Sequence, residues 1–217
     1  MKALIGPKKF LDLVPSSSSL MVGGFLAVGT PEKLVGLILD SDKRDFTVIC
    51  NDSSFPDKGV GRLIAARKVR KIYTSHIGTN PETGRQFLSG EIEVELNPQG
   101  TLAERIRAFG AGLGGVLTPT GIGTELEKNR RVIEVDGRKF LLETPLRADV
   151  ALLKAHMADR SGNLVFRRSA RNFNPLMALA ADVVIVEAEL IVETGSIDPD
   201  QVMTPGILVD YIFSEEE

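Results

Sequence analysis

Three short stretches of this 217-residue sequence place glycines or small amide and hydroxyl side chains where an apolar run stops. The first is Gly23-Gly24-Phe25-Leu26-Ala27-Val28-Gly29. Adjacent glycines let a ligand approach the backbone closely, and the start of a following helix offers free N–H groups to an anion. A tight turn closing a strand–helix corner uses the same residues. The second stretch, Asn51-Asp52-Ser53, follows the run Phe46 to Cys50. Its short polar side chains can orient a carboxylate or a thioester carbonyl, and they can equally form an Asx turn. In the third, Asn97-Pro98-Gln99-Gly100, Gln99 is a neutral donor beside a helix start. It suits an oxyanion or a carboxylate oxygen, or it is a solvated turn residue. Together these corners describe an anion-friendly pocket of backbone and side-chain amides. They contain no convincing nucleophile.

The other reactive residue types lack the context that their chemistry needs. Gly110, Gly112 and Gly115 have the G-x-G-x-x-G spacing but follow a helix and precede a strand. A dinucleotide fingerprint requires the reverse order, so helix termination explains them better. His76 and His156 are far apart, and no local pattern links either to a nucleophile or a metal. Cys50 reads as a buried thiol at a strand end. Glu187, Glu189 and Glu193 offer acid/base groups or the polar end of a strand. Arg67, Lys68, Arg70 and Lys71 could meet a phosphate-bearing ligand, but such a run is usually a solvated helix end.

The elements that must carry the three corners follow from periodicity. Buried strands are expected at Leu20 to Phe25, Phe46 to Cys50, Lys71 to Ser75, Val116 to Thr118, Val150 to Ala155 and Val183 to Val186. Glu91 to Leu96 alternates as a half-buried strand. Thr30 as N-cap and Pro31 at the first helical position predict a helix to about Leu39. Further helices are expected over Gly59 to Ala66 and Pro175 to Ala180. Thr101 with Glu104 forms a capping box for a helix through Phe109. Asp136-Gly137 predicts a hairpin. No internal repeat, low-complexity tract or linker stands out, and Ser214 to Glu217 reads as a frayed end. The alternation implies one α/β domain over 1–217, with an open, mostly parallel sheet flanked by helices and a small β-hairpin element.

Composition sets the outer bounds. Lys plus Arg number 26 against 29 Asp plus Glu, a net charge of -3, so no field draws in a nucleic acid. A hydrophobic share of 43% and a charged share of 25% are ordinary globular values. No apolar run spans a bilayer, and Met1 to Phe10 lacks the apolar core of a secretory signal, so a cytoplasmic protein without membrane contact is expected. A single cysteine excludes an intramolecular disulfide and a cysteine metal cluster. The 21 glycines stand well above a typical share of about 7%.

Val22-Gly23-Gly24-Phe25, with Gly29 and Pro31, resembles the signature of the family I 3-oxoacid coenzyme A transferases. The resemblance continues through Asn51-Asp52, Ser75 to Glu82, Leu88 to Glu91, Pro98 to Leu102, Thr118 to Gly121, Ala158 to Asn163 and Ser169 to Asn174. These blocks follow one another in order over nearly the whole chain. The stretch from Ser75 is similar to alpha subunits of the bacterial acetate/acetoacetate (butyrate–acetoacetate) enzymes. Ser16 and Ser17 stand where the signature has an Asp/Asn–Gly-type pair, and Ala27 where relatives can have glycine.

The resemblance implies the coenzyme A transferase fold and an alpha subunit that moves coenzyme A between a short-chain acyl-CoA and a carboxylic acid. In this family a glutamate of the beta half attacks the acyl-CoA, giving an acyl anhydride and then a glutamyl-CoA thioester. No catalytic residue is therefore expected in this chain, and a beta partner, commonly in an α2β2 assembly, is. Gly23, Gly24, Phe25, Leu26, Ala27, Val28 and Gly29 would contact coenzyme A, while Asn51 and Gln99 would hold acyl or carboxylate oxygens. No metal or cofactor is required, coenzyme A being a substrate. Two other classes fit the residues alone: a module that binds an acyl-CoA or sugar phosphate without chemistry, and a standalone sugar-phosphate isomerase. The isomerase would need its acid/base pair in Glu187 to Glu193.

Overall fold

The apolar runs that end at the three candidate corners become parallel strands, and each of those corners feeds a helix. The structure is a computed structural model that describes residues 1–216. In chain order, β1 (Ala3–Ile5) and α1 (Pro7–Leu13) precede β2 (Ser19–Val22) and α2 (Glu32–Asp40). Then come β3 (Phe46–Ile49), α3 (Val60–Ala65), β4 (Val69–Thr74), α4 (Pro81–Leu88), β5 (Glu93–Leu96) and α5 (Gln99–Gly110). A small sheet follows, with β6 (Val116–Thr118), α6 (Glu125–Lys128), β7 (Arg131–Val135) and β8 (Arg138–Glu143). The chain returns through β9 (Ala148–Asp159), β10 (Leu164–Val165), α7 (Asn174–Met177), β11 (Ala181–Val192) and β12 (Tyr211–Phe213).

The main sheet runs β1-β12-β11-β9-β2-β3-β4-β5, all parallel, with β10 antiparallel on β9. Its strands are apolar on both faces because both are covered. Leu20 and Val22 of β2 pack with Phe10, Leu34, Ile38, Leu63 and Ile64 on one side. Met21 between them points the other way, to Leu102, Ile106, Phe173 and Met177. The connection after β2 therefore rises to one face and that after β9 to the other. The carboxyl ends of β2 and β9 are thus a topological switch point, where open α/β sheets form a crevice. No helix among the described residues is long and apolar enough to cross a membrane.

The predicted hairpin is present, with Asp136 at φ 50° and Gly137 at φ 72°, but β6 extends it to a three-stranded sheet, β6-β8-β7. Several boundaries differ from expectation. Thr30 does not cap α2: Pro31 holds that position with no side-chain bond. The capping box is absent, because α5 begins three residues earlier and buries Thr101 inside its first turns. β9 and β11 are each 12 residues long, and α7 (Asn174–Met177) ends before the Ala180 expected for it. The C-terminal residues are tied down: the Ser214 N–H donates to the Ile5 carbonyl at 3.0 Å, and Glu215 meets Lys33 at 2.6 Å. Glu217 lies outside the described residues.

Candidate functional site

The first glycine stretch leaves β2 at the switch point, where the Gly23 N–H donates to the Leu152 carbonyl of β9 at 3.0 Å. Phe25 and Val28 then exchange two backbone hydrogen bonds of 3.0 and 2.9 Å, closing a two-residue turn. Its central residues, Leu26 at φ 47° and Ala27 at φ 67°, both adopt the left-handed conformation that glycine normally supplies. Gly23 is required by a protein neighbour, since a Cβ there would overlap the Asn174 side chain. Gly29, at φ 77°, lies so close to the segment before α7 that a Cβ would sit 2.6 Å from the Ala170 carbonyl oxygen. That segment holds the corner. Asn172 Nδ2 donates to the Val28 carbonyl at 2.8 Å, and Asn174 Nδ2 to the Gly29 and Ala170 carbonyls at 2.9 Å each. An apolar hollow of about 360 Å³ flanks the turn, lined by Phe25, Leu26, Val28, Ser169 and Asn172.

The second and third stretches meet the first. Asn51 is buried after β3, and Gln99 lies exposed in the opening turn of α5. Gln99 Nε2 donates to Asn51 Oδ1 at 2.8 Å, and Asn51 Nδ2 donates to Asp52 Oδ2 at 2.7 Å. That carboxylate oxygen also accepts the Leu26 N–H of the glycine corner at 2.9 Å, while Oδ1 accepts the Ser54 N–H at 2.8 Å. The Ser54 bond makes Asp52 an Asx turn as well as a link between corners. The next corner supports it: Thr79 Oγ1 donates to the Ser54 carbonyl at 2.8 Å and Asn80 Nδ2 to the Ser53 carbonyl at 3.0 Å. One continuous hydrogen-bond chain therefore joins Gln99, Asn51, Asp52 and Leu26.

The other candidates are occupied by structural partners. Burial, and then the nearby Asp52 charge, push the Cys50 thiol far above its ordinary range, and its Sγ–H faces the Asp52 carbonyl oxygen at 3.1 Å. A neutral thiol is a poor nucleophile. Glu187 Oε2 accepts the N–H groups of Lys33 and Leu34 at 2.9 and 3.2 Å, capping α2 from 154 residues away, and its Oε1 pairs with Lys154 at 2.9 Å. Glu189 meets His156 Nδ1 at 2.8 Å, a hydrogen bond that holds its carboxyl below the usual range, and Glu193 meets Arg160 at 3.0 Å. In the basic stretch, Arg67 pairs with Glu91, Lys71 with Glu93, and Lys68 Nζ donates to the Ser41 and Lys43 carbonyls. Gly110 ends α5 and Gly112, at φ 68°, turns the chain. Among the described residues no group of three or more His, Cys, Asp or Glu side chains is placed to hold a metal ion.

Sequence reasoning did not single out Asp52 as a link, nor Asn172 and Asn174 as clasps. It also left α4 unassigned, although Asn80-Pro81-Glu82 is an N-cap, first-turn proline and acidic first turn in order. A signal for α4 was therefore present. None existed for Glu187, whose target is a helix start on another strand's connection.

Known proteins are similar to this chain in sequence and in fold. A profile of the family described as "Coenzyme A transferase" matches residues 8–215. The acetate CoA-transferase subunit alpha of Escherichia coli K12 is 55% identical over 199 residues, 92% of this chain and 90% of that one. The acetoacetyl-CoA:acetate/butyrate CoA transferase alpha subunit of Clostridium acetobutylicum is 49% identical over 197 residues, 91% and 90% of the two chains. In structure, an acyl-CoA transferase from E. coli O157:H7 superposes with a TM-score of 0.88 at 19% identity, covering 99% of this chain and 47% of its own. Glutaconate coenzyme A-transferase from Acidaminococcus fermentans gives 0.81 at 20% identity, covering 97% and 74%. Fold and sequence agree, and the chain belongs to the family I coenzyme A transferases as an alpha subunit.

Proposed function

We propose that this chain, as one domain over 1–217, is the alpha subunit of an enzyme that moves coenzyme A between short-chain carboxylic acids of the acetate, acetoacetate or butyrate type. The observation that carries this reading is the 55% identity to an acetate CoA-transferase alpha subunit over 92% of this chain. Catalysis needs a separate beta subunit that brings the nucleophilic glutamate, in an α2β2 complex. The glutamate attacks the thioester carbonyl and expels the coenzyme A thiolate, leaving an acyl anhydride. The thiolate then attacks the glutamyl carbonyl and releases the acyl carboxylate, leaving glutamyl-CoA ready for the second acid. A carboxylate nucleophile divides one difficult transfer into easier steps.

This chain's part is to bind and orient. The turn over Gly23 to Gly29 contacts coenzyme A with exposed Phe25 and Val28 at its base. Asn51 and Gln99 present a neutral amide pair to the acyl or carboxylate oxygens, and such donors stabilise developing charge without supplying a competing ion. The isomerase class gains nothing from the geometry, because the Glu187 to Glu193 carboxylates that it would use are engaged in a helix cap and ion pairs.

The test is to purify the chain alone and together with a cognate beta chain, and to follow acetoacetyl-CoA formation from acetoacetate and acetyl-CoA. Turnover is expected only in the pair. Robust turnover by the lone chain would refute the split active site, and a pair that binds acyl-CoA without transferring it would refute the enzymatic reading.

A further inference from the structure

We propose that Asp52 is the positioning residue of the amide pair: its carboxylate fixes which way round the Asn51 and Gln99 side chains face and couples that choice to the turn at Leu26 and Ala27. The inference rests on the proposed role of Gln99 at the reacting oxygens. A side-chain amide can sit in its socket in two ways, with oxygen and nitrogen exchanged, and its partners decide between them. An ionised carboxylate only accepts. The Asn51 group 2.7 Å from Asp52 Oδ2 must therefore be Nδ2, which turns Oδ1 toward Gln99. An oxygen there requires an N–H from Gln99, and Nε2 supplies it at 2.8 Å. Gln99 is thereby prevented from turning its own oxygen inward. The direction of its second N–H and of Oε1 is dictated two residues away.

The rest of the carboxylate's surroundings fit an orienting role. Asp52 is 5% exposed, and three N–H donors hold it: Leu26, Asn51 and Ser54. Asn at this position could not replace it, because an amide presents at least one N–H to a donor. The Leu26 bond also anchors the centre of the turn to the oxygen that orients Asn51. Movement of the turn and reorientation of the amides are therefore linked through one atom.

The experiment uses the assembled alpha–beta complex, with Asp52→Ala, Asp52→Asn, Gln99→Ala and the double variant Asp52→Ala/Gln99→Ala, and counts active sites by trapping enzyme-bound coenzyme A. Asp52→Ala should lower kcat per active site by roughly 10- to 100-fold, the scale of a misplaced reacting group. KM for the carboxylate should stay within about twofold, and Asp52→Asn should fall between. The double variant should lose much less relative to Gln99→Ala than Asp52→Ala loses relative to wild type, because part of the Asp52 effect passes through that side chain. Losses that multiply, or an Asp52→Ala complex with wild-type kcat, overturn the proposal. A wild-type pair without any transfer refutes the proposed function instead, and solvent exchange of the Asn51 Nδ2 protons then decides the inference. Those protons should be protected in the wild-type complex and exchange at least about tenfold faster in Asp52→Asn, with β3 backbone amides unchanged. Equal exchange rates overturn it.

Discussion

The corners after β2 and β3 follow one plan and differ in what holds them in shape. Each places a phenylalanine before a two-residue turn and a glycine after it: Phe25 to Gly29, and Phe55 to Gly59. Phe25 pairs with Val28 and Phe55 with Lys58 in matching backbone bridges. No repeat stands out in the sequence because only the phenylalanine and the final glycine are shared. In the second corner Pro56 fixes a negative φ at the first turn position, so the turn is set by covalent geometry. In the first, Leu26 and Ala27 both carry positive φ, at a cost of about 1–2 kcal/mol per residue. That turn persists because Asp52 holds its centre at Leu26 and Asn172 and Asn174 hold its far end. The second corner has proline at its turn, whereas the first relies on Asp52, Asn172 and Asn174 alone to hold a left-handed pair.

The largest effect expected from breaking this contrast is at Gly23. Gly23→Ala should cost about 1–3 kcal/mol or more of stability, because the new methyl group enters the Asn174 amide. Asn174→Ala should itself destabilise, since it frees the Gly29 carbonyl and the Lys154 N–H. Urea denaturation of both single variants and the double should give a coupling of about 0.5–3 kcal/mol, because the alanine at 174 makes room for the one at 23. Strict additivity would show that the clasp does not set the glycine requirement.

A smaller pair of changes should carry opposite signs. Ala27→Gly relieves a left-handed alanine and gives back part of the gain through unfolded-chain entropy, for a net stabilisation of about 0.5–1 kcal/mol. Pro56→Ala loosens the unfolded chain and should destabilise by about 0.4–1 kcal/mol. Thermal midpoints of the two variants, measured side by side, check the assignment. Two shifts in the same direction would erase the distinction between the corners.

The smallest effect concerns acid. Glu82 and Glu91 are each held at about 2 by the Arg85 guanidinium, which clasps α4 beneath the second corner. Their carboxyls lie below the ordinary range, so the stabilisation they give is complete above about pH 4.5. It is lost as pH falls toward 2. Arg85→Gln should lower the urea midpoint at neutral pH and flatten its decline over that interval, the two curves converging as pH nears 2. An equally steep decline in the variant would assign the acid sensitivity elsewhere.

Much of this architecture was legible from local pattern. Strands β2, β3, β4, β5, β9 and β11 were placed by apolar runs and alternation, and the hairpin by Asp136-Gly137. The failures have one physical origin. Thr30 followed by Pro31 is a sound local capping signal, yet α2 is capped by Glu187, and no local signal reports a carboxylate 154 residues away. Thr101 and Glu104 likewise mimic a capping box inside a helix that Pro98 starts earlier. Ser17 and Ala27, which stand where the family pattern has glycine, keep the left-handed backbone at φ 67° each. At the site, residue types identified the three corners, but the bond from Gln99 to Asn51 joins residues 48 apart and needed the fold.

The clasps also set a timetable for synthesis. The second corner can close once Thr79 and Asn80 have been made, about 25 residues downstream. The first waits for Asn172 and Asn174, some 145 residues downstream, and for Glu187 beyond them. At roughly 5–20 residues per second, the interval between Asn80 and Asn174 lasts about 5 to 20 s on a ribosome. For that time a nascent chain carries Phe25 and Val28 on an unlocked turn, exposed to chaperones. The surface proposed to contact coenzyme A is thus among the last to be sealed.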